Sequence, residues 1–174
     1  TGLPLDPTSA VSLKQSKKQY HDAVLALTQY PFDALYFTGF KNLDDAQCAL
    51  MGARAVYDAP VFISLAPNGE GMFPGGRTLS EGVALCDEYG ADVIGVVSDA
   101  PAHVLVGFAK EMASATDKPL LVDASVRRKD RRQFEPTDEN PYPTADAVVE
   151  LAVRLRAQGA QFLRASGAAT PAYT

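Results

Sequence analysis

Six polar side chains stand where short apolar runs of this sequence end: Thr38, Ser64, Ser98, Asp99, Asp123 and Ser166. Hydroxyls and carboxylates at such positions can bind a polar small molecule. Two carboxylates could also handle protons, if their surroundings shift them into range. The serines have no base in view. Neither His21 nor His103 has a spacing that would serve Ser98 or Ser166, so these hydroxyls read as small polar fillers rather than nucleophiles. Asp99 precedes Ala100-Pro101 and suits a helix N-cap with proline just inside the helix. Asp123 closes "PLLVD" and reads either as a ligand contact or as the partner of nearby arginines. Those arginines open the stretch 127–132, which holds five cations in six residues. Arg127 and Arg128 lie closest to the strand end, and the planar guanidinium suits a carboxylate or phosphate. The competing reading is a solvated loop whose cations pair with Glu135, Asp138 and Glu139.

Other reactive types carry less. Cys48 and Cys86 lie in helix-like stretches and read as buried thiols of a reducing compartment, with a disulfide left open by their spacing. Two cysteines and two isolated histidines make no zinc-site pattern. His21 belongs to the solvated face of an amphipathic helix, whereas His103 falls in a first helical turn that could approach a ligand. "GEGMFPGG" has no phosphate-loop pattern and reads as a flexible lid or a hairpin.

The elements that must position these residues follow a regular alternation. Apolar runs without clear period-two patterning at 33–39, 59–67, 91–99, 118–125 and 160–167 predict parallel strands covered on both faces. Helical stretches are expected at about 8–29, 43–57, 79–89, 100–116 and 144–158, with Gly90 and Gly159 as helix stops. Strand, helix, strand at this spacing implies βαβ units in one parallel sheet, with ligands at the carboxyl ends of the strands. Two long loops, after the second and fourth strands, belong to that end. A flavodoxin-like doubly wound sheet usually begins with a strand and ends with a helix. This order, with a helix first, reads better as the later part of an eight-fold barrel, a single α/β domain over 1–174.

Composition narrows the partners. Hydrophobic residues make up 47% of the 174 and charged residues 21%, with net charge -5 and pI near 5.0. That argues against nucleic acid, which favours a basic face. No run approaches the roughly 20 apolar residues that span a bilayer, and "TGLPLDPTSA" lacks the features of a signal peptide. A cytoplasmic chain is expected.

Taken in order, "PFDALYFTGFKNLDDAQCAL", "PVFISLAPNGEGMFPGGRTLSEGVALCDEYGADVIGVVSD", "KPLLVDAS" and "GAQFLRASGAATP" resemble the homocysteine S-methyltransferase family. The resemblance rests on element order, "GRTLS" at 76–80, the Gly-Ala-Asp leading into the 92–97 strand, and Thr170-Pro171 after the last strand. It implies a TIM-type (β/α)8 barrel, of which this chain supplies the last five strands. The family's chemistry uses three cysteines to hold zinc, and zinc holds homocysteine as thiolate. Its Gly-x-Asn-Cys stands here as Gly95-Val96-Val97-Ser98, and its Gly-Gly-Cys-Cys-Gly as Arg164-Ala165-Ser166-Gly167-Ala168. The family's Glu-Thr reads Thr38-Gly39, and its Pro-Asn reads Ala124-Ser125. A serine hydroxyl is a hard, protonated, weak ligand that does not replace a soft thiolate. The resemblance so altered implies no zinc and no other cofactor. It implies a small-molecule ligand, anionic if Arg127 and Arg128 hold it, and methyl transfer, if any, to an acceptor that zinc does not activate. The alternative is a non-catalytic scaffold or regulatory partner of a methyltransferase or corrinoid protein. The two open edges of a five-strand sheet further imply self-association or a partner chain that completes the barrel.

Overall fold

The computed structural model describes residues 9–128 and 132–173. Five parallel strands form one sheet in the order β1-β2-β3-β4-β5: β1 Leu35–Phe40, β2 Val61–Leu65, β3 Val93–Ser98, β4 Leu120–Val126 and β5 Ala160–Gly167. Helices alternate with them: α1 Ala10–Leu27 before β1, then α2 Leu43–Arg54, α3 Leu79–Glu88, α4 Ala102–Ala115 and α5 Ala145–Ala157. The sequential strand order decides between the two architectures. A doubly wound sheet reverses direction partway, which puts helices on both faces. Right-handed crossovers that always step the same way put every crossover helix on one face. The other face is left to the sheet itself, and the sheet curls around it.

The helix-covered, convex face carries the core. Val61, Ile63 and Leu65 of β2, Ile94 and Val96 of β3, and Val122 and Ala124 of β4 are buried there against Leu43, Ala46 and Leu50 of α2, Val83 of α3, and Leu105 and Met112 of α4. Burying each large aliphatic side chain contributes about 1.5–3 kcal/mol. Local signals set where the helices begin. In α3, Thr78 Oγ1 accepts from Glu81 N at 3.2 Å and the Glu81 carboxylate accepts from Thr78 N at 2.6 Å, a reciprocal capping box. Asn42 caps α2 by accepting from Asp44 N. Arg54, at the end of α2, donates to the carbonyls of Tyr57, Ala59 and Gly90 and to Asp92, tying the amino ends of β2 and β3 together.

Two sequence expectations are refined here. The "GEGMFPGG" segment is a hairpin. Met72 bridges antiparallel to Thr78, Asn68 Oδ1 accepts from the backbone N–H of Glu70 and Met72, and Phe73 is buried. Cys48 and Cys86 are both buried and both free. Burial pushes the Cys86 thiol up to about 12 and raises Cys48 as well, so neither is a ready thiolate.

Candidate functional site

The concave face is where the two ends of the sheet meet. Neighbouring strands lie about 4.8 Å apart, so a flat sheet would hold β2 and β5 roughly 14 Å from each other. Yet Phe62 of β2 and Phe162 of β5 touch edge to face with ring centroids 5.1 Å apart. The Arg164 guanidinium of β5 likewise sits 5.4 Å from the ring of Tyr36 on β1. Only strong curvature permits both contacts. Gly95 eases it: a Cβ there would come within 2.6 Å of Leu121 O and 2.9 Å of Leu121 Cβ.

Above this aromatic floor the strands present polar groups toward their carboxyl ends. Ser64, fully buried, donates to Thr38 Oγ1 at 3.1 Å and shares a 3.0 Å hydrogen bond with Tyr36 Oη. Asp123 is 1% exposed. Its Oδ2 pairs with Arg164 Nη1 at 3.3 Å, and its Oδ1 has no hydrogen-bond partner. Burial raises the Asp123 carboxyl above its ordinary value, against the pull of the Ser166 hydroxyl and the Arg164 cation. A buried acceptor without a donor costs about 1–3 kcal/mol or more. Asp123 Oδ1 is therefore a buried acceptor whose pairing with an incoming donor would be favourable. Arg164 is about half exposed, so its remaining N–H groups can meet an acceptor on the same molecule.

Of the residues singled out from sequence, the structure brings together Thr38 and Ser64 on one side and Asp123 and Ser166 on the other. Ser98 turns to the backbone, its Oγ accepting from Ala100 N at 3.1 Å. Asp99 is not the N-cap of α4. That position is Pro101, which makes no side-chain cap, and Asp99 instead takes both arms of Arg127, at 2.8 and 2.7 Å. Two charged N–H donors converging on Asp99 Oδ2 outcompete a single backbone N–H. Arg127 also donates to the carbonyl of Glu139. Its partners are thus Asp99 and a backbone oxygen, not the carboxylates of Glu135, Asp138 or Glu139. Its donors are largely committed to holding the long loop against the end of β3. Arg128 is exposed, and Lys129, Asp130 and Arg131 lie outside the described residues. His103 is exposed, and His21 bonds Asp22 on α1, away from the concave face.

Sequence reasoning missed Tyr36 and Arg164. The available signal was parity: Tyr36 and Thr38, Phe62 and Ser64, Asp123 and Ser125, Arg164 and Ser166 each lie two apart on a strand and so share a face. Among the described residues no three His, Cys, Asp or Glu side chains gather where they could hold a metal ion. No described helix is long and apolar enough to cross a membrane.

A curved sheet of five parallel strands, helices on its convex side and a polar cluster at the carboxyl ends inside, defines a part of a TIM-barrel-like α/β fold. Among solved structures, the chain is similar to the homocysteine methyltransferase MmuM from Escherichia coli. The apo form matches with a TM-score of 0.72 and 17% identity over 92% of this chain and 54% of that one. The metallated form matches with a TM-score of 0.73 and 17% identity over 95% and 51%. The chain thus spans about half the length of the structures it matches. No protein-family model matches the sequence, and no curated protein matches it.

Proposed function

We propose that this chain binds a small polar molecule on its concave face, as a homocysteine methyltransferase-like domain that has lost thiolate-held zinc. The carrying observation is Asp123: nearly inaccessible, with one oxygen unpartnered, beside a half-exposed arginine and a line of hydroxyls. The ligand donates a hydrogen bond to Asp123 Oδ1 and offers an acceptor or anionic group to Arg164. Tyr36, Ser64 and Thr38 complete the polar wall. The loss of zinc is supported by the residues that take the place of the three thiols. Ser98 is engaged by backbone, Ser166 attends Asp123, and Gly167 has a positive φ of 70°. A Cβ on Gly167 would meet Val126 O at 2.5 Å. A cysteine could not stand there without displacing the backbone, so the site is not one substitution away from a thiolate pair. Activation of a thiol at neutral pH, which zinc would supply, therefore has no counterpart. Any methyl acceptor would have to be reactive without it.

Native mass spectrometry of protein purified without added ligand, followed by elemental analysis, tests this reading. A retained small molecule, lost in Asp123→Asn and in Arg164→Ala, is the expected result. One tightly held zinc per chain would overturn the zinc half of the proposal, and an unliganded protein identical in both variants the ligand half. A scaffold role beside a methyltransferase or corrinoid protein would show instead as co-purification independent of Asp123.

A further inference from the structure

Helix α5 carries an exposed stripe whose spacing reads the same in both directions. Asp146, Val149, Val153 and Arg156 are separated by three, four and three residues, so they fall on one helical face. Val149 is 59% exposed and Val153 68%. Reversing the helix exchanges the two valines and puts the acid where the base was. Asp146 forms no ion pair within the described residues, and neither does Arg156, which donates one N–H to the carbonyl of Ala160. Beside the stripe, Val148, Val149, Ala152 and Leu163 line an apolar groove of about 340 Å³.

We infer that this face is a two-fold interface with a second copy of the same chain, α5 packing antiparallel on α5. A two-fold contact must be self-complementary: if one residue meets another, the second meets the first on the opposite side of the axis. The α5 stripe meets that demand in every position. With the axis between Val149 and Val153, each valine meets the other from the second copy, and Asp146 faces Arg156 at both ends. A parallel pairing of the two helices would instead set acid against acid and base against base. The contact is small, so the dimer is weak and concentration-dependent. It does not rest on the small-molecule reading, since α5 lies on the convex side.

Sedimentation velocity across a concentration series tests it on the 174-residue chain. The parent is expected to pass from the 18.5 kDa monomer to a species of twice that mass, with no larger one. Asp146→Lys sets lysine against arginine at both ends, and Arg156→Asp sets acid against acid. Each alone should weaken dimerisation about tenfold or more. Mixing the two variants restores both opposed pairs, because lysine of one chain then faces aspartate of the other. The mixture should dimerise as the parent does. All four stripe positions are exposed, so far-UV circular dichroism should be unchanged. A parent that stays monomeric at the highest concentration overturns the inference. So does a dimer that either variant forms alone as readily as the parent, or a mixture that fails to recover.

Discussion

Val122 and Leu163 are direct partners across the β4–β5 pair and face the same side of the sheet, yet one is 1% exposed and the other 38%. Residue type does not explain this, since both are aliphatic. Coverage does. Val122 lies between β3 and β5 under α5, whereas among the described residues no helix lies beyond α5 to shield Leu163. The concave side of β5 is no better covered, Phe162 being 40% exposed, but what it touches is different in kind. There the sheet's two ends reach each other through Arg164 on Tyr36, so even the edge strands find contacts. The convex face depends on added elements, one helix per strand pair; the concave face depends on curvature alone.

That contrast can be broken most severely in the middle of the convex face. Ile63→Ala, at a fully buried position, should destabilise by about 2–5 kcal/mol in chemical denaturation, because the deleted atoms leave a cavity that tight packing cannot close. On the concave face, Gly95→Ala tests curvature. Its Cβ meets a backbone oxygen that cannot rotate away, so a loss of about 1–3 kcal/mol is expected. Circular dichroism in the near ultraviolet should report disturbance of the ring contacts at the same time.

Asp123→Asn sharpens the comparison through pH. The carboxyl is raised above its ordinary 3.8. A raised acid contributes stability that is fully present below the unfolded value and lost as pH rises through the folded one. The asparagine variant escapes that loss. It should be more stable than the parent at neutral pH, with the margin shrinking as pH falls toward 3.8. A constant margin from neutral to acid would mean that Asp123 is not strained by burial. The smallest effect belongs to Leu163→Ala, about 0.5 kcal/mol or less in dilute protein, as for other exposed positions. A larger loss would show that the groove beside α5 is already covered in solution.

Much of the fold was legible because it rests on local chemistry. Gly90 and Gly159, both with positive φ, stop α3 and α5 where the sequence places them, and "TLSE" starts α3 through its capping box. Strand positions were legible as apolar runs. The assignment of Asp99 failed for an instructive reason. Asp-Ala-Pro is a sound local capping signal, but Arg127, 28 residues away, offers a doubly charged-assisted bond that no local pattern contains. The α5 stripe is local too, yet its exposure is not, because helical period alone does not say which face meets the sheet.

The sequence by itself determined the alternation of helix and strand, the parallel sheet and the identity of the polar residues at the strand ends. Each follows from side-chain period, turn residues and caps within a few positions. Only the tertiary structure decided which of those residues meet. Curvature brings an arginine of β5 over a tyrosine of β1 and so sets Arg164, Tyr36, Ser64 and Asp123, residues up to 128 positions apart, on one face. It also decided that Asp123 would be buried with one oxygen unpartnered, because desolvation is a property of everything packed around a group and not of the group's own neighbours in the chain.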